Sequence, residues 1–551
     1  MFLQLVIMPQ LQIPVESSVS HSPNACACAS GWTIFKGAAL FGCFSLLAAT
    51  AFANASVYQL VEAAHEGDVI ELPAGTFELD RPLLIDKRLA LVGQGRDETI
   101  LRSTAGEEGV LIRIQGIDGA RLAGFTLDGA GNENISQGIV LSGGSGHLLE
   151  DLRIRDIPGT GGFGPHAIHA SSNVIDSRFA GLEIRNIGLD SEWGAGLRMG
   201  EGSRGNLIEE NDLTGFGRGG ILTTRGSTDT IIRNNRVRDF GHAGPGLGIE
   251  VWGNGERVVI EDNIVDHWIS VDGQEDVAVR RNRITGAEDE EHIGSYGLEL
   301  VNSSRVVMTD NVMEGGNHIG LSVSNRARKD LAYWARNQLL SSETWGAQIQ
   351  GEEGGAHRMY FYENEFVQTK RSERSLYPGA AGHGFRFNGN AFQMVLHANR
   401  ILNNEGAGVQ MGGENLDRLS FIGNSIADNR GAAITGTFQG EAVAWEGNET
   451  SRNQGGDGGL ESRGFDEWNG PELSIEVSGE TRSGETLTLE LNGFADELFS
   501  AVLWDLGHGI PMTGDRVEHV YDHSGEYRTA AIAWTHGGRG IRVEAELTIT
   551  E

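Results

Sequence analysis

The chain has 551 residues and 80 glycines, and its 76 acidic against 43 basic side chains give a formal net charge of −33. That length allows a large core and more than one domain. The glycines imply many tight turns, since no Gly-X-Y period makes them collagen, and the charge opposes nucleic acids and anionic membrane surfaces.

Residues 1–55 read as a leader. Lys36 precedes an apolar run, GAALFGCFSLLAATAF, that closes on the small residues around Ala51 and Ala53. That is the pattern of a secretory signal, and the run is short for a membrane span. A secreted, periplasmic or cell-surface bacterial protein is expected. Cys26, Cys28 and Cys43 all lie in this leader, so the rest of the chain uses neither disulfides nor thiols.

Residues 56–463 carry a repeat. NLIEENDL, TIIRNNRV, VVIEDNIV, VAVRRNRI and VVMTDNVM align without gaps on Asn211, Asn235, Asn263, Asn282 and Asn311. The series continues through Asn337, Asn364, Asn399, Asn424 and Asn448, and upstream Gly181, Asp151 and Gly124 take the same slot. Apolar residues alternate around each asparagine, so each unit is strand-like and the whole reads as a solenoid. An inward asparagine at a coil corner suits left-handed backbone geometry and can bond its counterparts above and below.

The entry to this region holds Gly67-Asp68, Leu72-Pro73, Gly75-Thr76-Phe77, Gly93, Gly95 and Thr99-Ile100-Leu101, after a helical face of Val57, Leu60, Val61 and Ala64. These residues resemble the entry segment of right-handed parallel β-helix proteins of the pectate-lyase-like superfamily. The resemblance implies an all-β fold, a right-handed parallel β-helix whose helix covers the open first coil. For function it implies only a range, from lyases, hydrolases and epimerases to non-catalytic proteins.

Residues 464–470, GFDEWNG, read as a linker, and 471–551 alternate at the spacing of a small immunoglobulin-like β-sandwich. Trp504 to Gly509, His519-Val520-Tyr521 and Ser524 to Tyr527 resemble a PKD-type module, with Leu506-Gly507-His508 where that family has Phe-Gly-Asp. The resemblance implies an accessory spacer or glycan-contacting part.

No nucleotide loop, zinc spacing, Ser-His-Asp order or nucleophile elbow occurs. Chemistry must then come from stacked coils. One strand per coil, written in order, gives an outward column of His169, Arg198, Leu222, Glu250, Ser270, Glu299, Ser322, Gln348, Arg386 and Gln410, and a second column that includes Thr224, Trp252, Asp272 and Val301. With strands about 4.8 Å apart, Glu250, Asp272 and Glu299 sit on three consecutive coils, Glu250 and Glu299 about 10 Å apart. Such carboxylates can perform acid/base work on a glycosidic bond, or Glu250 and Asp272 can hold calcium. Trp252 suits stacking on a sugar, and Arg198, His169, Gln348 and Arg386 suit binding its polar or anionic groups. A lyase would use His267 or His292 as base and Lys370 or Arg371 to neutralise a uronate carboxylate. Superfamily habit leans towards a polysaccharide lyase over a glycoside hydrolase. The alternative is a non-catalytic glycan-binding or adhesion protein on the same face, and solvated charged side chains are equally at home there.

Overall fold

A computed structural model describes residues 56–104, 109–159, 164–244, 246–286, 296–315, 319–325, 329–352, 355–371 and 382–551. The leader expected over 1–55 and the turn histidine His292 lie outside them. Three parallel sheets of 15, 15 and 14 strands run along a solenoid, every strand pairing with those of the coils before and after it. The first sheet runs from Val69–Glu71 to Val443–Glu446, the second from Gly75–Leu79 to Glu449–Ser451 and the third from Leu83–Ile85 to Ile434–Gly436. Alternation drives this: Ile208, Ile232, Ile260, Val279, Met308 and Trp334 point inward from successive coils and are fully buried. The helix Val57–Ala63 closes the first coil, its N-terminus tied by a capping box between Ser56 and Gln59.

The asparagines form the expected ladder. Asn311 Nδ2 donates to Asn337 Oδ1 and to the Val279 carbonyl, both at 2.9 Å, and Asn311 Oδ1 accepts from the side chain and backbone N–H of Asn282. The left-handed residue, however, is the one before each asparagine. Glu210, Asn234, Asp262, Arg281, Asp310 and Arg336 have φ between 53° and 59°. This corrects the upstream alignment as well. Gly181, at φ 62°, belongs in the left-handed slot, and Leu182 takes the asparagine slot, donating its N–H to Asn211 Oδ1 at 2.9 Å. The left-handed turn aims the next side chain inward, where its amide meets backbone groups that the corner leaves unpaired.

The C-terminal strands form two antiparallel sheets, one of three strands and one of four. Leu487, Leu489, Trp504, Tyr521, Ala531 and Ala533 fill the space between them. The strands Phe499–Asp505 and Gly525–Thr535 are buried on both faces over 502–505 and 529–535. Their other face, with Leu503, Ala530, Ile532 and Trp534, packs on the outer face of the first solenoid sheet at Ala278, Val307, Tyr333, Tyr360 and Val395. Arg280 is buried in this interface and donates to Asp505 at 2.8 Å, and Arg542 Nε donates to the Tyr333 hydroxyl at 2.8 Å. The part expected as an accessory spacer or glycan contact is therefore docked on the solenoid through one face of its four-stranded sheet. Continuous burial over 529–535, TAAIAWT, is the signal of a strand covered on both sides.

Removing Arg280 leaves the Asp505 carboxylate buried without its cation, at a cost of about 3–5 kcal/mol. Arg280→Ala is expected to loosen the C-terminal sheets first. Limited proteolysis should then cut within residues 464–470 while the solenoid core stays resistant.

Candidate functional site

The sequence-predicted columns lie on the outer face of the third sheet, where Trp252 is exposed while Arg198, Leu222, Ser270, Ser322 and Gln348 are buried. Strand pairing aligns His169, Arg198, Leu222, Glu250, Ser270, Glu299, Ser322, Gln348, Arg386 and Gln410 in one column. Thr224, Trp252, Asp272, Val301 and Ser324 align beside it. Trp252 is 40% exposed, and Asp272 lies next to it on the adjoining strand.

Glu299 is the best-defined group of the face. Its Oε2 accepts the Trp268 indole N–H at 2.7 Å and the Ser270 hydroxyl at 2.7 Å. Burial, reinforced by the charges of Asp272 and Glu250, pushes its carboxyl up to about 7 against the pull of those two bonds. Glu250, two strands away with Ser270 between, meets Arg218 through both oxygens at 3.1 and 3.3 Å. Arg218 and Arg198 both lie 5.7 Å from the centre of the Trp193 ring, making one end of the face cationic. Burial, then repulsion from Arg218, brings Arg198 down to about 10. Burial and neighbouring Arg198 bring His169 down to about 4, so it is neutral at neutral pH.

At the other end, Gln348 donates to Gln350 at 3.0 Å, and Arg386 donates to Asn388 at 2.6 Å while lying over Trp345. Lys370 and Arg371 are exposed on the adjoining turn, and the Arg371 charge reaches His383. His267 does not join the face. It is 2% exposed, with its ring 4.4 Å from Phe240 inside the corner, which withdraws it from anything a bound chain could touch. The calcium pairing of Glu250 and Asp272 meets a competing cation. The Arg218 guanidinium occupies the cation's place on Glu250, and among the described residues no three His, Cys, Asp or Glu side chains gather around one point.

Sequence reasoning missed Trp268, Arg218 and Trp193. One signal was available for Trp268: it stands in the slot that Gly248 and Gly297 fill on the flanking coils.

The raised carboxyl of Glu299 has a consequence for stability. Below its ordinary value of 4.5 both folded and unfolded chains hold the proton; between 4.5 and about 7 only the folded chain does, so stability falls as pH rises, and above about 7 the loss is complete. Glu299→Gln removes that loss. Urea unfolding is expected to show the variant more stable than the parent by on the order of 1–3 kcal/mol near pH 8, and about equal near pH 4.

A family model described as the right-handed beta helix region matches residues 112–268, 180–337 and 248–454. No curated protein matches the chain. Among solved structures, the chain is similar to a tailspike protein mutant of E. coli bacteriophage HK620 in complex with a pentasaccharide, at 10% identity over 87% of this chain and 86% of that one, TM-score 0.47. It is also similar to an alginate lyase from Paenibacillus sp., at 17% identity over 50% of this chain and 96% of that one, TM-score 0.37. A third is the A-module of a mannuronan C-5 epimerase from Azotobacter vinelandii, at 15% identity over 70% of this chain and 94% of that one, TM-score 0.35. These likenesses are of fold.

Proposed function

The chain belongs to the right-handed β-helix family, and we propose that the outer face of its third sheet hydrolyses glycosidic bonds in an extended polysaccharide. One observation carries this reading: three carboxylates on consecutive coils of one face, one of them raised by burial to about 7, beside an exposed tryptophan.

Glu299 acts as general acid, protonating the leaving glycosidic oxygen. Glu250, ion-paired with Arg218, acts as base on the attacking water. Their strands are two spacings of about 4.8 Å apart, and a separation of roughly 6.5–9.5 Å between carboxyls is what leaves room for that water and inverts the anomeric centre. Asp272 supplies negative charge that favours the protonated form of Glu299, and Trp252 stacks on a sugar ring. The protein is exported by its leader, and the C-terminal sheets are a PKD-like accessory module.

β-Elimination is the second reading, supported by the cationic end of the face. There Arg198 and Arg218 would neutralise a uronate carboxylate.

A panel of polysaccharides, followed by reducing ends and by the ultraviolet absorbance of unsaturated products, tests the choice. Hydrolysis gives reducing ends alone, at a rate that falls as pH rises through about 7. Glu299→Gln is expected to slow it by about 10²-fold or more, and Trp252→Ala to weaken binding about tenfold with unfolding unchanged. Ultraviolet-absorbing products would assign a lyase, and binding without either product a glycan-binding protein.

A further inference from the structure

We propose that Trp268 is a positioning residue for Glu299: with Ser270 it fixes one carboxyl oxygen, leaving the other, Oε1, as the atom that hands over the proton. This rests on the hydrolytic reading for its catalytic meaning, though not for its geometry.

The constraint on Trp268 begins in the core. On the flanking coils the slot of Trp268 is glycine, because a Cβ on Gly248 would lie 2.2 Å from Val265 Cγ1, and one on Gly297 2.0 Å from Met313 Sδ. No indole fits inward there. The coil is also short, with 19 residues between Asn263 and Asn282. Trp268 takes a left-handed backbone, φ 57°, unusual for a bulky residue, and its ring turns to the outer face. There it packs on Ala195, Leu222 and Leu247, with the Tyr296 ring edge-on at 4.7 Å. A strained conformation persists where its surroundings over-determine it, and such strain gathers at functional sites.

What the conformation delivers is the indole N–H, 2.7 Å from Glu299 Oε2. Ser270 donates to the same atom from the strand between Glu250 and Glu299. An oxygen that already accepts two donors has its lone pairs engaged. The mobile proton of the acid is therefore carried on Oε1, and two donors from different elements stop the carboxyl rotating.

The infrared carbonyl band of protonated Glu299, identified by its loss in Glu299→Gln, reads this directly against pH. Trp268→Phe keeps an aromatic ring and removes a donor that favours the ionised carboxylate, so the midpoint is expected to rise, the carboxyl holding its proton about tenfold more tightly. The falling limb of the rate profile should move with it. Ser270→Ala removes the second donor without touching the strained turn and should shift the midpoint the same way, so the test survives if Trp268→Phe does not fold. Unmoved midpoints in the folded variants overturn the proposal. Should the midpoint move in a protein that cleaves no polysaccharide, the hydrolytic reading falls and the hold of Trp268 on Glu299 stands.

Discussion

The asparagine ladder is the interaction on which the remaining architecture depends. Each rung joins one coil to the next through side chain and backbone together, so neither coil can slide against its neighbour. Slippage by one residue would turn every inward side chain outward. The ladder also tolerates variation: rungs 19 residues apart and 35 residues apart have the same bonds, with N–H to Oδ1 distances of 3.1 and 2.9 Å. Turns lengthen outside while the wall stays in register. Residues far apart in the chain consequently become fixed neighbours, and a column of side chains acquires meaning.

Charge on the wall follows two regimes. Along the first sheet, acids and arginines interleave: Arg257 bonds Asp229, Arg305 bonds Asp276 and Arg358 bonds Asp330. Such pairing lets a strongly acidic chain stack its coils without accumulating repulsion. On the third sheet the acids Glu250 and Glu299 are met in two different ways. Glu250 meets Arg218, and Glu299, held by Trp268 and Ser270, is accommodated by keeping its proton. A buried carboxyl held by two side-chain donors marks the site more sharply than the ion pairs around it do.

Much of this was legible in the sequence. Period-2 alternation and the asparagine spacing sufficed to place the solenoid and to bring His169, Arg198, Glu250, Glu299, Gln348 and Arg386 into one column, because parallel register carries alignment directly into space. What was not legible depended on a single backbone angle or on tertiary contact. His267 and Trp268 are adjacent, and local turn geometry alone decides that the histidine goes under the corner and the tryptophan over it. The left-handed slot precedes the asparagine by one residue, which an alignment of side-chain types cannot reveal. Arg218 lies in a turn whose reach towards Glu250 only the assembled coils define. Docking of the C-terminal sheets left a trace in the unbroken apolar run of 529–535, yet nothing in that run names its partner.

That docked sheet has a mechanical consequence. A solenoid is quasi-one-dimensional, each coil touching only its neighbours, so it bends and frays locally. Val259, Ala278 and Val307, which belong to the hydrophobic cluster under the C-terminal sheet, follow Glu250, Asp272 and Glu299 on the same three coils. The module is thus a splint applied to the first sheet of the same coils whose third sheet carries the carboxylates. It stiffens those coils against flexure and holds the spacing between the strands of Glu250 and Glu299.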